Sequence, residues 1–92
     1  MRTIDNLGTI AAEVAMRAAA EYVRSNGLKV VDYDAATECL RSHCKARLPL
    51  ALDAAKKALD CNMGQVAEAT FKAEMALAGI EAAKEFSVPM SY

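Results

Sequence analysis

The sequence VAEATFKAEMALAGIEAAKEF, residues 66–86, decides the fold, because it is apolar on more than one side of a helix. At about 100° per residue, one large apolar face holds Val66, Thr70, Ala73, Leu77 and Ile80. A second face holds Phe71, Met75, Ala78, Ala82 and Phe86. A helix of this kind is either the central helix of a bundle or is shared with a second chain.

A third stripe of this helix carries mainly small side chains. Gly79 lies in the helix interior at a cost of about 1 kcal/mol relative to alanine, so the close approach of another helix would explain its presence. Because only two other helices are available to cover it, we predict that helix 3 forms a homodimer interface. The predicted interface residues are Ala69, Lys72, Ala76, Gly79, Ala83, Phe71, Met75 and Phe86. The alternative is a monomer whose alanines face water.

The rest of the chain predicts two further long helices. Helix 1 covers about residues 4–26, with Thr3 or Asp5 as its cap and Asn26 and Gly27 as its stop. Its apolar residues fall on one face, which is typical of a helix that covers a core.

Helix 2 covers about residues 34–61, with Asp32 or Asp34 as its cap. Helix 3 covers about residues 63–86, and Asn62 is its predicted cap.

Two short segments have an extended pattern. The connector, residues 27–33, contains the β-branched pair Val30 and Val31, and we expect it to be extended and to lead into helix 2. It could also be a short strand, whose one candidate partner is the alternating tail of residues 87–92, within the chain or between chains.

Pro49 lies inside the predicted second helix, in the stretch RSHCKARLPLAL of residues 41–52. Proline cannot donate a hydrogen bond to the carbonyl of Lys45, and its ring crowds that carbonyl. The apolar stripe changes side by roughly a quarter turn across this point. We predict one helix kinked at Pro49. The alternative is a break that gives four helices, although Leu48 would be a poor cap for the second piece.

Composition indicates a single domain, residues 1–92, with a thin core. Of the 92 residues about 54% are apolar, but twenty of these are alanine, which adds helix propensity and little burial. Chains of this length bury a small share of their surface and are often stabilised by association.

Charge and cysteine usage limit the classes of function. Twelve acidic and eleven basic residues give a net charge of −1, so no overall field attracts nucleic acid or an anionic membrane. Three cysteines without a secretory segment predict a cytoplasmic protein with reduced thiols. No apolar stretch approaches the roughly 20 residues that span a bilayer, so we predict no membrane association.

Cys39, His43, Cys44 and Cys61 are the candidates for metal or thiol chemistry. Cys39 and His43 are four residues apart and can share a metal ion, whereas Cys44 lies about 140° from Cys39 around the helix. Cys61 lies about 25 Å beyond Cys44. We therefore predict no metal site and no cofactor, and interpret the thiols as small core residues. A pair of Cys and His without a third orienting group also predicts no enzyme activity.

Arg41, Lys45 and Arg47 form a basic cluster that could contact an anion or a nucleic-acid backbone. Arg41 and Lys45 share one helix face, while Arg47 turns away unless the bend redirects it. Neither a helix-turn-helix pattern nor aromatic residues accompany the charges, so a solvated helix face explains the cluster as well.

Together these features predict an all-α domain, a three-helix bundle or a set of antiparallel helical hairpins. The predicted function is a small protein-interaction or structural module in the cytoplasm, homodimeric through helix 3 and without catalysis. Two alternatives stay open: a dimeric nucleic-acid-binding regulator that uses the basic cluster, and a small enzyme or thiol and histidine sensor.

Overall fold

The computed structural model describes the backbone of residues 4–90 and the side chains of residues 10–90. Its elements are α1 (Ile4–Ser25), β1 (Leu28–Val30), α2 (Tyr33–Asp60), α3 (Gly64–Phe86) and β2 (Ser87–Pro89). The chain is therefore all-α apart from one small strand pair, which confirms the predicted class. Thr3, the side chain of Asp5 and Tyr92, named in the predictions for the two ends, lie outside the described part.

The end of α1 leads directly into the strand pair. Gly27 takes a left-handed φ of 62°, and its amide donates to the carbonyl of Arg24 at 3.3 Å. Glycine adopts this conformation without strain, so the helix stops here. The connector then forms β1, which pairs with β2 in antiparallel register, with Leu28 opposite Pro89. The extended connector therefore contains a short strand, the alternative that the sequence left open, and its pairing with the tail occurs within the chain.

One continuous helix, α2, runs through Pro49. Asp32 caps it, because its carboxylate accepts hydrogen bonds from the amides of Asp34 and Ala35 at 3.0 and 3.1 Å. The alternative of a break at Pro49, with a fourth helix, is not observed.

The turn between α2 and α3 uses Asn62 differently from the prediction. Asn62 has a φ of 59°, and its amide donates to the carbonyl of Leu59 at 2.9 Å. The amide of Met63 donates to the carbonyl of Ala58 at 2.9 Å, which completes the Schellman arrangement at a helix C-terminus. Asn62 therefore ends α2, and its predicted role as the cap of α3 is wrong. Met63 is the N-cap of α3 and makes no side-chain capping bond.

The three helices pack with α3 in the middle. It contacts both α1 and α2 extensively, whereas α1 and α2 contact each other much less. α2 is antiparallel to α3, since Cys39 near its start meets Ala82 near the end of α3. α1 also packs on α3, where Ala15 lies directly against Gly79. The molecule is elongated, about 52 × 21 × 19 Å.

The core of the described residues is built mainly from small side chains. Of eleven buried apolar residues nine are alanine, and the two large ones are Phe71 and Met75 on α3. Larger apolar side chains lie on the surface instead, among them Met16, Leu50, Leu59 and Leu77. Because burial free energy scales with apolar area, this core contributes little for its number of residues.

Candidate functional site

The predicted interface on α3 separates into a covered part and an exposed part. Gly79, Ala83, Phe71 and Met75 are buried within the chain, and Phe86 is half-buried. A Cβ added at Gly79 would lie 2.1 Å from the carbonyl oxygen of Ala15 on α1. The close helix approach at Gly79 therefore occurs within one chain. Ala69 and Lys72 are exposed and Ala76 is half-buried, so these three remain accessible to a second copy.

The accessible side of α3 includes large apolar residues that belong to the first apolar face of the sequence. Val66 is 44% exposed and Leu77 is 43% exposed. Ala73 is also exposed, and Ile80 is half-buried. We refer to this surface as the outer face of α3, and its residues are Val66, Ala69, Ala73, Ala76, Leu77 and Ile80.

The basic cluster is partly neutralised by acidic partners. Arg47 forms a half-buried ion pair with Glu74 on α3 at 2.8 Å. Arg41 pairs with Glu38 on its own helix at 3.2 Å, on an exposed surface. Lys45 is exposed. Because two of the three cations have carboxylate partners, the cluster presents little net positive charge to a phosphate backbone.

An apolar groove between α1 and α2 was not anticipated from the sequence. It has a volume of about 520 Å³, with Met16 and Val23 from α1, Tyr33 and Leu40 from α2, and Phe86 from the end of α3. It lies where α1 and α2, which both pack on α3, make few contacts with each other. Its residues belong to the three helices and β1, together with Met90 after β2, so no local pattern reveals it.

Cys39, His43 and Glu85 form a compact cluster between α2 and α3. One donor atom from each residue, the Cys39 Sγ, a ring nitrogen of His43 and a carboxylate oxygen of Glu85, lies within 4.8 Å of the others. His43 Nε2 contacts Glu85 Oε2 directly. The Cys39 thiol points to the carbonyl of Ala82 at 3.7 Å. Cys39 and His43 are half-buried, and Glu85 is exposed.

The surroundings of Cys39 and Cys44 disfavour a reactive thiolate at these two residues in the free protein. Burial raises the pKa of the Cys39 thiol above its ordinary value, and the negative charge of Glu85 raises it further. Burial also raises the pKa of the Cys44 thiol. A thiol that stays protonated is a poor nucleophile, so the geometry does not favour a cysteine enzyme.

Sequence reasoning paired Cys39 with His43 correctly but missed Glu85. The first two are one helical turn apart on α2, a spacing that can be read locally. Glu85 comes from the last turn of α3, 42 residues after His43. Only the antiparallel packing of the two helices brings it there. Cys44 and Cys61 do not join the cluster.

Comparison with protein-family models, curated proteins and solved structures returned no match. Among the residues that the structure describes, no helix has the length and apolar character needed to cross a lipid bilayer.

Proposed function

We propose that this chain is a helical protein-interaction module that forms a homodimer through the outer face of α3. The proposal rests on the burial of apolar side chains. Among the described residues, the buried ones are mainly alanine, and many of the larger ones are exposed to solvent. Large exposed apolar surfaces in small proteins commonly mark sites of association. The proposal assigns the chain no catalytic step.

The outer face of α3 is suited to contact with a second copy of itself. From Val66 to Ile80 it extends about 21 Å along the helix. In an antiparallel pair of α3 helices centred on Ala73, Val66 would lie opposite Ile80 of the second copy. Ala69 would lie opposite Leu77, and Ala73 opposite Ala73. Leu77 then meets the small Ala69, Val66 packs against Ile80 at each end of the contact, and the same two-fold axis relates both sets of contacts.

The thin core supports association for an independent reason. Residues 10–90, whose side chains the structure describes, bury only two large apolar side chains, so a chain of 92 residues gains limited free energy from folding alone. Burial of Val66, Leu77 and Ile80 against a second copy would add apolar area to each chain.

The proposal includes a bend of α2 at Pro49, because the Lys45 carbonyl loses its helical donor and is crowded by the proline ring. The three cysteines are free thiols, which supports a reducing compartment such as the cytoplasm.

Light scattering of the purified protein at tens of micromolar tests the dimer. We expect the mass of two chains for the wild type and of one chain for Leu77→Glu, because a charge at the centre of the interface would be buried without a partner. The matched control is Leu59→Glu, which places the same change at a residue that is 58% exposed on α2. Circular dichroism checks that both variants are folded.

Three outcomes would contradict the proposal. A monomeric wild type would remove the dimer altogether. A dimer that survives Leu77→Glu, or one that Leu59→Glu disrupts instead, would move the interface away from the outer face of α3.

Crosslinking tests the register. The starting variant has all three native cysteines replaced by serine. When Ala73→Cys is added to it, a short bis-maleimide should join the new cysteine to the same residue of the second chain. A cysteine at Glu13, on the exposed side of α1, is the control and should not crosslink. Equal crosslinking at both positions would indicate random collision and count against the register.

A further inference from the structure

We propose that Cys39, His43 and Glu85 bind a divalent transition metal of the Zn²⁺ class. The three side chains offer a sulfur, a nitrogen and an oxygen donor within 4.8 Å of one another. They come from two helices that pack along their length, so the cluster joins the start of α2 to the end of α3. The inference is independent of the dimer, since all ligands belong to one chain.

The backbone holds the three residues in suitable places. Cys39 and His43 lie at positions i and i+4, which directs both side chains to the same side of α2. Glu85 lies in the last turn of α3, next to Ala82, whose carbonyl faces the Cys39 sulfur. The strand pair begins two residues later at Ser87 and fixes the end of α3 against β1.

Only a small rearrangement is needed to place a metal ion between the donors. Zinc binds sulfur at about 2.3 Å and nitrogen or oxygen at about 2.0–2.2 Å, so donors around it lie somewhat more than 3 Å apart. The Cys39 sulfur and its neighbours must move toward each other, and Glu85 must move away from direct contact with His43. The Glu85 side chain is 61% exposed and can make this change by rotation of its own torsions.

The donor set indicates the class of metal. A thiolate and an imidazole favour Zn²⁺ and its chemical relative Co²⁺ over Mg²⁺ and Ca²⁺, which prefer oxygen. The thiol loses its proton to solvent on binding, so one thiolate and one carboxylate balance the two charges of the ion. Three protein ligands leave a fourth tetrahedral position for water. His43 also lines an open depression with Arg47, Leu50 and Glu81, through which solvent reaches the ion.

The test uses the full chain without a histidine tag, reduced and freed of metal by a chelator. Zn²⁺ is titrated against a competing chromophoric chelator, and Co²⁺ is followed by its thiolate charge-transfer absorption. We expect one ion per chain, a cobalt–thiolate band, and a raised melting temperature with Zn²⁺. Each of Cys39→Ser, His43→Gln and Glu85→Gln should weaken binding by about 100-fold or more, since loss of even an outer-shell partner costs about 10–100-fold.

Matched control variants distinguish binding at the Cys39, His43 and Glu85 cluster from non-specific binding of metal by any thiol or carboxylate. Cys44→Ser, Cys61→Ser and Glu13→Gln, the last at an exposed position of α1, remove the same groups elsewhere and should leave affinity and the cobalt band unchanged. Because Glu85 is largely exposed, Glu85→Gln should fold normally, and circular dichroism verifies this before titration. Absence of binding by the wild type overturns the proposal. So does equal loss of affinity in Cys61→Ser, or full retention of affinity in both His43→Gln and Glu85→Gln.

Discussion

At Gly79, α1 packs so closely on α3 that there is no space for a side chain. No atom beyond hydrogen fits between its Cα and α1, because a Cβ would lie 2.1 Å from the Ala15 oxygen and 2.8 Å from the Ala15 carbonyl carbon. Both atoms belong to the backbone and cannot rotate away. Glycine at this position therefore sets how close the two helices lie, and α1 must shift if it is replaced.

We predict that Gly79→Ala lowers the free energy of unfolding by about 1–2 kcal/mol. Overpacking typically costs about 1–3 kcal/mol, and a clash with backbone atoms belongs to the upper part of that range, about 2–3 kcal/mol. The gain in helix propensity of about 1 kcal/mol offsets part of this cost. Urea unfolding measures the change. Gly64→Ala is the control, because nothing lies within 4 Å of its added Cβ, and it should be neutral or stabilising. Equal effects at both glycines would show that α1 does not depend on Gly79.

Asp32 gives a second prediction at the scale of one residue. Its carboxylate accepts hydrogen bonds from two amides that have no partner in the first turn of α2. We expect Asp32→Ala to lower the free energy of unfolding by about 1 kcal/mol. Asp32→Asn should retain most of the stability, since the amide oxygen also caps. Thermal unfolding of the three proteins distinguishes loss of the cap from loss of charge, which would affect both variants equally.

The ends of the helices show which structural features can be predicted from a residue and its neighbours in the sequence. The sequence predicts Gly27 as a helix stop and Asp32 or Asp34 as a helix cap, and the structure has Gly27 and Asp32 in these roles, because each depends on the residue and its immediate neighbours. Asn62 was assigned to the wrong helix, since the same residue type suits a left-handed stop and a cap. Only the backbone conformation, which reflects how α2 and α3 turn, distinguishes the two.

Pro49 allows a prediction about a whole element, because α2 stays helical through it. We expect Pro49→Ala to raise the free energy of unfolding by about 1–3 kcal/mol, since it restores a donor to the Lys45 carbonyl and removes the ring clash. Pro49 is exposed, so few contacts are lost. Denaturant unfolding provides the measurement, with the exposed Ser42→Ala on the same helix as the control for propensity alone.

A loss of stability in Pro49→Ala would contradict this expectation. It would mean that α2 packs against α3 only if it is bent at Pro49. A straight helix would then move apart pairs such as Arg47 and Glu74.

At the scale of the whole molecule, long-range packing decides what the sequence could not show. The two apolar faces of α3 predict a helix that is central or shared, and α3 does contact both α1 and α2. Which residues of α3 remain exposed could not be predicted, because this depends on where α1 crosses it at Gly79. The cluster of Cys39, His43 and Glu85 could not be predicted for the same reason, because Glu85 lies near the other two residues only when α2 and α3 pack together.

A dimer stabilised by mass action has a melting temperature that depends on protein concentration. A tenfold increase in concentration adds about 1.4 kcal/mol to the free energy of unfolding of a dimer. For two chains of 92 residues, this corresponds to a rise of about 3–6 °C. We expect that rise for the wild type by calorimetry, and none for Leu77→Glu, whose outer face would carry an unpaired charge. Leu59→Glu should retain the dependence, because Leu59 lies on α2, away from the outer face of α3. A wild-type melting temperature that stays constant over a hundredfold range would show that the alanine-rich core sustains the fold as a monomer.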